Sequence, residues 1–200
     1  NHGQQFDALK EDRNARRTVD PQEFLADNFA AFFLMPKTAL DIGMVRRNFT
    51  VASLTPLQVF LLASWLGVGY RTLISHLEYG LKMLPTRDAN DLRKSSPAKI
   101  KHEVLGTDLD AHLHWVDQAW LGRAIDCEVK DVIHLPPGAS WEGQVLNAVD
   151  IRKDGVLARV IRPGIARVST EASGWAAYLR ATREKYVGRG CFRYEEEIEE

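Results

Sequence analysis

Two cysteines, Cys127 and Cys191, are the only ones in this 200-residue chain. Two cannot make a disulfide framework, so the fold has to rest on a packed core. Two hundred residues suffice for one sizeable domain or two small ones. Charge of one sign is also missing: 26 Lys and Arg stand against 27 Asp and Glu, a net charge of −1. No global field draws such a chain to nucleic acid or to an anionic membrane. Long apolar runs are absent, so neither a membrane span nor a signal peptide is expected, and with reduced thiols the chain reads as cytoplasmic. A phosphate-cradling glycine loop is lacking too, because Gly67-x-Gly69 has no third glycine and follows a helical stretch. The chain opens on Asn1-His2-Gly3 instead of methionine, which reads as a portion of something longer.

What is present begins with residues 20–36, which spell one short helix. Asp20 suits the N-cap, Pro21 the first helical position and Glu23 the acid of a capping box, while Pro36 ends the run. Leu25, Phe29, Phe32 and Phe33 form an apolar stripe at helical spacing, and Ala30 and Leu34 make a second side apolar. Such a helix is expected to be buried. Glu23 and Asp27, four residues apart, share the face of Ala30 and Leu34. Two inward acids need a partner, and a metal ion with a histidine is one answer; a plain capping role for Glu23 is the other.

The run Glu23-x-x-Ala26-Asp27-x-Phe29-Ala30-Ala31-x-x-Leu34-Met35-Pro36 resembles the segment that follows the zinc-binding His-Glu-x-x-His of ImmA/IrrE-family metallopeptidases. The resemblance implies that Glu23 is the third zinc ligand and that Asp27 orients a ligating histidine. No His-Glu-x-x-His occurs in these 200 residues. The implied protein is therefore the C-terminal portion of a bacterial zinc-dependent endopeptidase-like regulator, its zinc motif upstream and this portion alone inactive. Its implied partner is a protein substrate, a helix-turn-helix repressor that it cleaves or inactivates. The alternative is a non-enzymatic regulatory module that binds a protein partner or small ligand through its helical unit and β domain.

Residues 37–50 read as a short helix and turn. Thr55-Pro56-Leu57-Gln58 is a second capping-box start, and Gly67-Val68-Gly69 separates two apolar helices in a helix-turn-helix-like spacing, with His76 where an apolar residue is usual. The second helix offers Tyr70, Arg71, Thr72, Ser75, His76 and Tyr79 outward, with a single arginine, which argues for packing and against DNA. Residues 85–105 are polar, with Ser95-Ser96-Pro97, and read as a linker. From about residue 115 the period changes to two. Strands are expected at 124–129, 132–135, 144–149, 156–161, 165–168, 175–181 and 186–194. Six consecutive positions at 195–200, five of them Glu, read as an acidic tail. The expected class is α+β. Residues 1–50 close a metallopeptidase-like domain, 51–105 form the helix-turn-helix-like unit and linker, and 106–200 form a small antiparallel β-sandwich or barrel.

Other candidate sites carry less. Asp110-x-His112-x-His114 would chelate a metal if all three shared one face of a strand. His2 reads as a frayed terminal residue near the missing zinc helix, and His102 and His134 as isolated surface or hydrogen-bonded residues. Cys127 is expected to pack in a strand, and Cys191, near Arg189 and Arg193, has no base beside it.

Overall fold

The helical part begins with α1 (Pro21–Leu34) and α2 (Lys37–Val45), followed by α3 (Pro56–Leu66). Next comes α4 (Tyr70–Ser75), which runs on into a π-helical turn (His76–Gly80), and then α5 (Thr86–Leu92) and α6 (Pro97–Leu105). This computed structural model describes residues 21–106, 111–171 and 174–184; in α1 the side chains of Pro21, Glu23, Phe24 and Asp27 are outside the description. The stretches 1–20 and 185–200, with the expected cap Asp20, the strand at 186–194 and the tail at 195–200, lie outside it as well.

Local chemistry explains where α3 starts and stops. Thr55 Oγ1 accepts from the Gln58 N–H at 3.3 Å, and Gln58 Oε1 accepts from the Thr55 N–H at 3.0 Å. Pro56 follows at the first turn, and Gly67 ends the helix in the left-handed region at φ 72°. The chain then turns by 102° into α4 and its π-helical extension, an angle typical of a helix-turn-helix. Leu62, Leu73, Ile74 and Leu77 converge inside that angle, each fully buried. Of the expected outward positions, Arg71, Thr72 and Tyr79 are exposed, whereas Tyr70 and His76 are buried. Among the described residues no single helix is long and apolar enough to cross a membrane.

The stretch 85–105 is helical, not a linker. Ser96 and Pro97 begin α6, the serine hydroxyl accepting from the Lys99 N–H at 3.3 Å and the proline taking the first helical position. Ser-Pro read as breaker chemistry there because cap and loop residues are the same types. Ala89, Leu92 and Ile100 join the helical core, and the Tyr70 hydroxyl donates to the Leu92 carbonyl at 2.9 Å.

Eight strands follow: β1 (Leu113–Trp115), β2 (Ala124–Glu128), β3 (Val132–Leu135), β4 (Ala139–Glu142), β5 (Leu146–Ile151), β6 (Val156–Val160), β7 (Gly164–Thr170) and β8 (Trp175–Thr182). They form two four-stranded sheets, ordered β1-β3-β6-β5 and β2-β8-β7-β4, which do not close into a barrel. Each sheet is mixed and not purely antiparallel, since β1 runs parallel to β3 and β2 parallel to β8. Period-two patterning reports which face of a strand is buried and says nothing of its partner's direction, so the expected all-antiparallel arrangement missed both edges. β1 and β4, three and four residues long, were too short to show a period.

Side chains from both sheets share one core, with Ile133, Leu135 and Ala158 from one and Ile125, Val168 and Leu179 from the other. The helical and β parts interlock. Trp65 of α3 belongs to the sheet core, and Leu113 of β1 belongs to the helical core. The Trp65 indole N–H donates to the Ala119 carbonyl at 3.2 Å, while Arg123 donates to the Trp65 carbonyl at 3.2 Å. Arg47, whose side chain is buried, grips Asp117 through two bonds of 2.6 and 3.0 Å. The guanidinium groups of Arg47 and Arg123 lie 5.3 and 4.6 Å from the Trp65 ring centre.

Candidate functional site

α1 is where the sequence concentrates its chemistry, and its surroundings differ from expectation. The apolar stripe faces outward: Leu25 is 71%, Phe29 70%, Phe33 72% and Leu34 50% exposed. Phe29 and Phe33 stack on each other, ring centres 6.0 Å apart and 17° from parallel. The helix was expected to be buried. Its chief neighbour among the described residues is the π-helical turn at its C-terminal end, and its apolar side lies open. Glu23 and Asp27 stand in the first two turns of this helix, but their side chains lie outside the described residues.

The anchored end is built around His76. Met35, fully buried, presents its carbonyl to His76 Nε2 at 3.0 Å. The ring donates to one of the carbonyls that every helix C-terminus leaves without a partner. Phe32 packs edge-on against the same ring, centres 4.9 Å apart and planes at 81°. Gly80 completes the fit, because a Cβ there would lie 2.6 Å from His76 Nδ1. A histidine replaces the usual apolar residue here because this position has to terminate α1 as well as fill the core.

Beside it sits a buried acid, Glu78, whose Oε2 accepts from Arg93 at 2.6 Å. Burial pushes the Glu78 carboxyl up, and its hydrogen bonds with Arg93, Thr86 and Tyr79, with the Arg93 charge, bring it to a net position below the usual carboxylate range. An ionised Glu78 paired in this way ties the π-helical turn to the end of α5 and offers no proton chemistry of its own.

The remaining candidates are dispersed. Asp110 lies outside the described residues, and His112 is exposed. His114 is buried with its Nε2 2.7 Å from Asp131 Oδ2, an oxygen that also accepts from the Glu128 N–H at 2.7 Å. His114 is thus taken by a carboxylate inside the fold and does not join His112 in a chelating pair. Cys127 is buried, and burial first, then the carboxylates of Asp131, Asp126 and Glu128, push its thiol well above its ordinary range. Such a thiol is not a nucleophile at neutral pH. Cys191 and His2 lie outside the described residues, and His102 is exposed. Among the described residues no three His, Cys, Asp or Glu side chains are grouped to hold a metal ion. His134 departs from its reading as a surface or hydrogen-bonded residue, being buried with neither ring nitrogen hydrogen-bonded. Its place in the apolar run Val132-Ile133-His134-Leu135 was the available signal, and all four positions of β3 are buried. The chain matches no protein-family model, no curated protein and no solved structure.

Proposed function

We propose that this chain is the C-terminal portion of a bacterial zinc-dependent endopeptidase-like regulator of the ImmA/IrrE type, acting on a helix-turn-helix transcriptional repressor. The observation that carries the reading is the open apolar side of α1. Leu25, Phe29 and Phe33, each about 70% exposed, form a patch on a helix whose other end is firmly seated by Met35 and His76. An exposed aromatic patch next to an anchored helix end supports a missing wall, and a zinc-motif helix is the wall that the Glu23–Asp27 spacing asks for. The described residues do not themselves fit a zinc site: they hold no ligand cluster, and residues 1–200 supply at most one ligand of the three that a catalytic zinc takes from protein. Two histidines would come from a preceding segment. Zinc held there would activate a water for hydrolysis of a peptide bond, with the glutamate of the upstream motif as general base.

The test compares zinc content in the full-length protein with and without Glu23→Gln. About one zinc per chain is expected in the wild type, with a marked loss in the variant and helix content nearly unchanged. Residues 1–200 alone are expected to bind no zinc. If the full-length protein carries no zinc, the non-enzymatic regulatory reading takes its place. If zinc stays at full stoichiometry in Glu23→Gln, Glu23 reverts to a helix cap.

A further inference from the structure

The ring of His134 occupies an unusual position on β3. It is 2% exposed, it stacks face to face on Trp115 of the adjacent parallel strand β1 at 3.8 Å and 18°, and neither ring nitrogen has a hydrogen-bond partner. Buried polar groups are nearly always paired, so an orphaned imidazole calls for a reason. The turn between β5 and β6 supplies one. Asp154 at its tip places Oδ2 3.7 Å from His134 Nε2, too far for a hydrogen bond but within range of an ion pair. Gly155 makes the approach possible, since a Cβ at that position would fall 2.5 Å from His134 Cε1 and 2.8 Å from Nε2. The Asp154 side chain is 64% exposed, so the carboxylate beside the buried ring also faces water.

We propose that His134 and the Asp154–Gly155 turn form a proton-operated latch, open when the imidazole is neutral and closed when it is protonated. Uptake of one proton from solvent leaves an N–H on both ring nitrogens, so Nε2 is a donor aimed at Asp154 whichever nitrogen held the hydrogen of the neutral ring. The carboxylate then moves in by less than 1 Å to accept a charge-assisted hydrogen bond. The new charge also lies against the indole face of Trp115, where a cation is attracted by the ring quadrupole. Arg152, at the base of the same turn, donates to the Val104 carbonyl of α6 at 3.0 Å and to Asp150 Oδ2 at 2.7 Å. Movement of the turn is thereby carried to the C-terminal end of α6.

Among the described residues the charged groups acting on the ring are Asp154, which favours the proton, and Arg152, which opposes it. Burial is the largest influence and lowers the His134 pKa below its ordinary 6.5, against which Asp154 works. Since the folded ring takes the proton less readily than the unfolded one, the stability that neutral His134 contributes is present above about pH 6.5 and is lost as pH falls through that value toward the folded pKa.

Tryptophan fluorescence tests the latch, because a protonated imidazole stacked on an indole quenches its emission. Between pH 8 and 4.5 the wild-type chain is expected to show a quenching step with a midpoint below 6.5. The step should vanish in Trp115→Phe and in His134→Gln, and its midpoint should move lower still in Asp154→Asn. Asp154 is exposed, so that last variant keeps the fold and isolates the carboxylate. A step that survives His134→Gln, or a midpoint that Asp154→Asn leaves in place, overturns the proposal.

Discussion

Leu25, Phe29, Phe32, Phe33 and Leu34 ride on α1, and the least exposed of them, Phe32, is 47% open to solvent. On α3, by contrast, Val59, Phe60, Leu61, Leu62 and Trp65 are all within 9% of complete burial. Both helices are rich in large apolar residues, although α1 is the longer, 14 residues against 11, and carries Glu23 and Asp27 where α3 has no charge. They differ in what surrounds them. α3 is packed by α2, α4, α6 and β1, whereas α1 meets chiefly the π-helical turn. Apolar periodicity therefore states what a helix needs to have covered. It does not state whether the covering element lies within the same stretch of chain.

The comparison is broken most sharply at the centre of α3. Leu62 is fully buried in the helical core, close against Gly43 of α2. Truncation to alanine removes three carbons from a packed site, so Leu62→Ala is expected to cost about 2–5 kcal/mol in denaturant unfolding. A loss below about 1 kcal/mol would mean that the burial of α3 contributes little more than that of α1.

A smaller effect sharpens the same contrast at the helix start. Thr55 caps α3 through its own hydroxyl, with Gln58 returning the bond. Thr55→Ala should cost about 1 kcal/mol, read as a lowered Tm, while Thr55→Ser should retain most of the stability. Equal losses in the two variants would assign the effect to the methyl group and not to the cap.

How far these features could be read in advance depended on their range. α3, its capping box, Gly67 and strands such as Val132–Leu135 and Val156–Val160 were legible because each is decided by residues a few positions apart. α5 and α6 were misread, since Ser96-Pro97 begins a helix as readily as it fills a loop, and only the packing of Ile100 and Leu92 distinguishes the two. The parallel edges of both sheets depend on pairings such as Ile125 with Leu179, far apart in the chain, which no local pattern encodes. The candidate site was legible as a helix with two acids one turn apart. Its open face was not, because apolar spacing along α1 does not say whether anything packs against it, and among the described residues Leu25, Phe29 and Phe33 are exposed. His76 and His134 show the limit for single residues: each is buried in an apolar setting, one satisfied by Met35 and one orphaned beside Asp154.

The smallest effect is expected on α1 itself. Phe29→Ser combined with Phe33→Ser removes two stacked rings that are each about 70% exposed. In this chain the pair should change unfolding free energy by no more than about 0.5 kcal/mol per site, as surface substitutions usually do. It should also weaken any concentration-dependent self-association, which light scattering would follow, because it breaks up an exposed apolar patch. If the proposed reading holds, the same two substitutions in a protein that carries the preceding zinc-motif segment should cost about 3 kcal/mol or more each, the loss expected for a buried aromatic side chain. The difference between the two contexts would then measure how much of α1 the proposed segment covers. Equal, near-zero costs in both would mean that the patch stays exposed in the longer protein, and would count against the proposed zinc-motif wall and for a surface that meets a partner.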